Sequence, residues 1–206
     1  MSWIQEQAAL LKEFLAADFR RILRYCSIGM AAAILLGAAA AMMDPQLVTR
    51  TLGFFMDQIE ANGVVDETGK LSVFALLMNN WRAMLFSAAY GFIPFLFLPV
   101  ISILSNGALL GMLGAMYIAE GALPMFLAGI LPHGIFELPA LALSASCGVC
   151  LCLNMCRLVT SSPKRTPLVE LVGDLLRVLL LIVLPLTVAA AFMECYVTPV
   201  IMGFFG

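Results

Sequence analysis

Of 206 residues, 63% are hydrophobic and 12% charged, with a formal net charge of -2. A water-soluble domain carries roughly a quarter charged residues, so this chain lacks the polar coat of one, and no basic block is present to hold nucleic-acid phosphates. The long apolar runs instead predict membrane-spanning helices; no segment shows the polar–apolar alternation over about ten residues that marks a membrane β-barrel strand.

In chain order, residues 1–24 form a leader in which Leu11, Phe14, Leu15, Ile22 and Leu23 recur at helical spacing beside Lys12, Arg20, Arg21 and Arg24. That pattern predicts an amphipathic helix on the cytoplasmic membrane surface. The first apolar run, 25–43, is close to the roughly 20 residues needed to span and ends at Asp44-Pro45. Ala39-Ala40-Ala41 has the look of a signal-peptide cleavage site, but the long leader favours a retained signal anchor. Residues 44–72 are polar and mostly acidic and predict an outer loop. Leu52, Phe55, Met56 and Ile59 suggest a short amphipathic helix within it, ended by Asn62-Gly63.

The second run covers 83–104. The third, 108–131, is interrupted by Gly111, Gly114, Gly121, Pro124 and Gly129 and carries Glu120. The fourth covers 133–156 and the last 175–195. Between these two lies a cytoplasmic loop, 157–174, with Arg157, Lys164 and Arg165. Cytoplasmic segments collect Lys and Arg, so the leader and this loop share a side. An odd number of crossings must separate Lys70 from Arg157, which fits three runs and not two. The expectation is one all-α membrane domain over 1–206, a polytopic bundle of about five spans. Its third and fourth spans are broken or kinked, its N-terminus is inside and its C-terminus outside.

Charged residues inside a membrane cost about 3 kcal/mol or more on insertion scales. The costliest group here lies in Pro132-His133-Gly134-Ile135-Phe136-Glu137-Leu138-Pro139. Pro132 suits the first position of a helix, His133 and Glu137 four apart then share a face, and Pro139 kinks the helix just inside its start. The pair either satisfies itself and pins neighbouring helices, transfers protons, grips a polar substrate group, or binds metal. Metal is poorly served, since two ligands fall short of the three or four of a zinc site, and hydrolysis lacks the second His of H-E-x-x-H. No metal, cofactor or catalytic residue is therefore expected. The topology places Asn80, Arg82, His133, Glu137 and Glu194 together toward the outer side, with Arg82 a candidate partner for Glu137 or Glu194.

Asn106-Gly107, with Gly111 at small-xxx-small spacing, reads as a tight turn with small-residue helix packing. Of six cysteines, Cys147, Cys150, Cys152 and Cys156 cluster. One C-x-x-C without a second pair reads as helix packing rather than a metal or redox centre.

These residues resemble the stage II sporulation protein M family. The resemblance rests on Asn79-Asn80, Gly91, Asn106-Gly107-x-x-x-Gly111, Pro132-His133-Gly134-x-x-Glu137-Leu138-Pro139-Ala140, Gly148, Arg177, Ala189-Ala190, Glu194 and Thr198-Pro199. It implies a cytoplasmic-membrane protein of about five spans. In spore formers it implies a non-enzymatic scaffold for membrane-anchored cell-wall hydrolases during engulfment, expected to work as a homo-oligomer in the lipid bilayer. The rival expectation is a transporter, channel or lipid-handling protein using His133, Glu137 and Arg82.

Overall fold

A computed structural model describes residues 3–44, 46–51, 53 and 72–205. All regular structure among them is helical. Most of the expected outer loop, including Leu52, Phe55, Met56 and Ile59, lies outside the described residues. Six helices carry the architecture: α1 Trp3–Ala16, α2 Asp18–Met43, α3 Val73–Ala89, α4 Leu98–Ala119, α5 Leu123–Val159 and α6 Leu168–Met202. Four of these, α2, α4, α5 and α6, are long and apolar enough to cross a bilayer. The fifth apolar helix, α3, has 17 residues, about 25 Å at 1.5 Å per residue.

The leader folds as α1, and its last part joins α2, which starts at Asp18 beside the N-terminal partial positive charge of the helix. Its apolar positions Leu11, Phe14, Leu15, Ile22 and Leu23 pack against the main core. Phe14 and Phe19 meet at 4.9 Å between ring centroids across the α1–α2 bend. The leader is thus a docked part of the bundle, covering its apolar stripe with protein.

Contacts between the helices fix their directions. On α2 and α4, Gly29 lies near Leu104, while Gly107 faces Met30 and Ala33 and Gly111 faces Ile34 and Ala38. Both sets rise together, so these helices are parallel. On α3 and α5, Met84 meets Ser144 and Ser87 meets Gly148, again parallel. Against α6, α5 runs the other way: Gly129 faces Met202, His133 faces Thr198, and Asn154 binds Thr166 just ahead of α6. Tyr117 and Phe126 meet across the α4–α5 turn with ring centroids 5.7 Å apart, as an antiparallel pair requires. Directions therefore alternate along the chain through α2, α3, α4, α5 and α6.

The helix α5 is the hub. In its most apolar 18-residue window 61% of residues are buried, against 22–39% in the other three long helices. Small residues make that possible: Ala140, Ser144, Ala145, Cys147 and Cys152 are all 0% exposed. A Cβ on Gly148 would collide with the Ser87 carbonyl and Pro99, so α3 and α4 close onto α5 at that point.

Three features depart from the apolar runs. The run 83–104 is split: α3 ends in a tight turn at Tyr90–Phe92, and α4 begins at Leu98 with Pro99 in its first turn. Pro94 holds Ile93 extended (φ -93°, ψ 102°), and Phe95 and Phe97 are left-handed. Every residue of this link is apolar or proline, so hydropathy runs across it unbroken. Second, Asn106-Gly107 forms no turn; both lie inside α4, where Gly107 and Gly111 pack closely on α2. Third, the break in the run 108–131 falls at Gly121 (φ +70°), the turn between α4 and α5. Pro132 is accordingly inside α5 and not at its start; the proline in the first turn is Pro124.

Prolines also shape α6. It has two widened π turns, Leu179–Val183 and Met193–Val197. A helical proline displaces the carbonyl four residues earlier. For Pro185 that is Leu181, and for Pro199 it is Cys195, each inside one of the widened turns.

Candidate functional site

The second widened turn positions Glu194. One helical turn on, Thr198 faces the same way, and both look onto His133 and Glu137 of α5. The antiparallel register opposes His133 to Thr198 and Glu137 to Glu194. The Nδ1 of His133 stands 3.4 Å from Thr198 Oγ1, and its Nε2 stands 3.8 Å from Glu137 Oε2. One ligand atom each from His133, Glu137 and Glu194 lie within 4.8 Å of one another. His133 is buried and both carboxylates are half-buried.

A cleft of about 350 Å³ opens beside this group, lined by His133, Glu194, Thr198, Pro199, Tyr117 and Phe126 among others. A larger hollow of about 510 Å³ near Ala41 and Ala115 has a single ionisable neighbour among the described residues, Glu120, so the convergent chemistry lies in the smaller one. Below the cluster, toward the C-terminal end of α5, the 0%-exposed residues Ala140, Ser144 and Ala145 close the bundle.

The other expected site residues lie elsewhere. Arg82 is exposed on α3 and forms no ion pair with Glu137 or Glu194 among the described residues. The α3–α5 register sets it level with residues beyond Glu137, since Met84 already faces Ser144. Asn80 is half-buried on α3. Asn106 is exposed on α4, its Nδ2 donating to the Ser102 carbonyl at 2.9 Å. Gly107 and Gly111 line the α2 contact. Pro132 and Gly134 are buried flanks of His133, while Pro139 and Pro199 are exposed.

Two side chains with structural work were not singled out from sequence as site residues. Thr198 is one; its spacing of four from Glu194 was the available signal. The other is buried Asn154, whose Oδ1 accepts from the Thr166 N–H at 2.9 Å while its Nδ2 donates to the Thr166 carbonyl at 3.0 Å. This pair clamps the loop between α5 and α6. The cysteines gain a role as well: Phe95 N–H donates to Cys156 Sγ at 3.2 Å and Cys152 Sγ donates to the Ile93 carbonyl at 3.5 Å. Two thiols on one face of α5 thus satisfy the non-helical backbone between α3 and α4, and all six cysteines are free.

The family model for stage II sporulation protein M matches residues 26–199. The chain belongs to the stage II sporulation protein M family. The match takes in every helix that forms the cluster and the cleft. An uncharacterized protein of Methanocaldococcus jannaschii is 35% identical over 127 residues, 61% of this chain and 70% of the relative. No solved structure matches.

Proposed function

We propose that this stage II sporulation protein M-family protein is a non-enzymatic membrane scaffold that positions envelope- or cell-wall-remodelling partners. In this reading it crosses the cytoplasmic membrane five times, with its N-terminus inside and its C-terminus outside, and works as a homo-oligomer. Partners such as membrane-anchored wall hydrolases dock at the outer ends of the helices. The alternating helix directions support five crossings. The orientation draws support from the meeting of α1 with α6, where Arg177 Nε donates to Gln7 Oε1 at 2.7 Å. That contact ties the leader to the first part of α6, which follows the basic loop, and basic segments favour the cytoplasm.

The observation that carries the scaffold reading is the filled core beneath the polar cluster. Ala140, Ser144, Ala145, Cys147 and Cys152 are fully buried, so the cleft beside His133 ends against packed helices. A rigid platform with a polar recess at one end suits holding partners better than moving solute across. Cross-linking in the native membrane, followed by detergent extraction and capture of the chain, tests it. Co-capture of a membrane-anchored wall hydrolase is expected; a host that makes such enzymes yet yields none with the chain would overturn the reading.

A second reading has its own observation. The cleft brings His133 and Glu194 to an opening between helices, which is where a transporter or lipid-handling protein would keep ionisable groups. Solute or lipid movement in vesicles containing the purified chain, lost in Glu194→Gln, would favour it over the scaffold.

A further inference from the structure

Sequence spacing alone offers two ligands, His133 and Glu137, four residues apart on one helix. Folding adds a third from another helix, Glu194, and places it among them. We infer that His133, Glu137 and Glu194 form a binding site for a divalent first-row transition-metal ion.

Charge is the first argument. Two carboxylates with ligand atoms within 4.8 Å of each other repel, and partial burial in a membrane protein strengthens that repulsion. No Lys or Arg forms an ion pair with either among the described residues, and one imidazole cannot balance two negative charges. A shared proton relieves one of the two charges, and a divalent cation balances both. Geometry is the second argument. Ligands bound at about 2.1 Å to one ion stand roughly 3–3.5 Å apart. His133 Nε2 and Glu137 Oε2 are 3.8 Å apart, so closing the set takes side-chain rotation of less than about an ångström at that pair.

The surroundings are built for this task. A metal-binding imidazole is oriented by a partner on its other nitrogen, and the Thr198 hydroxyl stands at Nδ1 with Nε2 turned toward the Glu137 carboxylate. Helical bundles hold metal with ligands one turn apart on one helix, completed by a ligand from a facing helix. Widened helical turns recur at functional sites, and Glu194 lies in one. The cleft supplies a path for the ion and room for completing waters. One nitrogen and carboxylate oxygens suit Mn²⁺, Fe²⁺ or Zn²⁺.

The test uses the full chain, purified in detergent and stripped with a chelator, and Mn²⁺ alone as probe, because the six thiols would capture a softer ion. Free Mn²⁺ is followed by electron paramagnetic resonance. One Mn²⁺ per chain is expected, bound about tenfold or more weakly in Glu194→Gln and in Glu137→Gln, and unchanged in Glu170→Gln at the opposite end of α6. No saturable binding by the wild-type chain would overturn the site, whatever the variants do. Equal binding by wild type and by well-folded Glu194→Gln and Glu137→Gln chains would overturn it too.

Discussion

Glu194 stands opposite Glu137 across two antiparallel helices, and a ligand atom of each lies within 4.8 Å of the other and of His133. Like charges facing each other in a half-buried position are a cost to the fold, so whatever occupies that place has a large effect on stability.

Neutralising one of the pair therefore has opposite consequences with and without an added cation. In chelator, Glu194→Gln unfolds at the same temperature as wild type or higher, since repulsion is removed. With Mn²⁺ at about 100 times its dissociation constant, binding stabilises the wild-type chain by about 2.7 kcal/mol, and the variant gains little. Thermal unfolding in detergent with and without Mn²⁺ reads both effects.

Gly111 meets the Ile34 backbone where α2 crosses α4. Gly111→Leu drives these helices apart and costs about 1–3 kcal/mol or more. At Gly121 nothing lies within 4 Å of an added Cβ, but φ is +70°, so Gly121→Ala costs about 1 kcal/mol from backbone strain alone. Unfolding temperatures of the two variants should fall in that order.

Asn154→Ala removes both hydrogen bonds to Thr166, a loss of about 0.5–1.5 kcal/mol each because Thr166 is exposed and water can replace the partner. The loop it clamps contains Lys164 and Arg165. Trypsin should cut there faster in the variant than in wild type, while Asn106→Ala, at an exposed position on α4, leaves the rate unchanged.

Composition and apolar run length were enough to read a helical membrane bundle, because desolvated backbone must satisfy itself within helices. Charge bias grouped the leader with the loop after Arg157; the structure sets the leader against the first part of α6, where Gln7 meets Arg177. Helix boundaries were hidden where a break carries no polar signal: Ile93-Pro94-Phe95-Leu96-Phe97 is as apolar as the helices it joins. Its backbone is satisfied by Cys152 and Cys156, distant in sequence. At the site, His133 and Glu137 were legible because one helix sets their spacing. Glu194 was legible as an expensive charge, but its meeting with them depends on the α5–α6 register. Arg82 failed as a partner for the same reason: the α3–α5 register sets it past Glu137.

The proposed orientation puts the two basic segments and the polar cluster on opposite sides of the membrane. Single cysteines at Pro163, in the loop between α5 and α6, and at Phe205, just beyond α6, decide this. Each is treated in intact cells with a membrane-impermeant maleimide and compared with the wild-type background. The account predicts labelling of Phe205→Cys from outside and labelling of Pro163→Cys after lysis alone. Labelling of Pro163→Cys in intact cells, or of both positions from the same side, would contradict it.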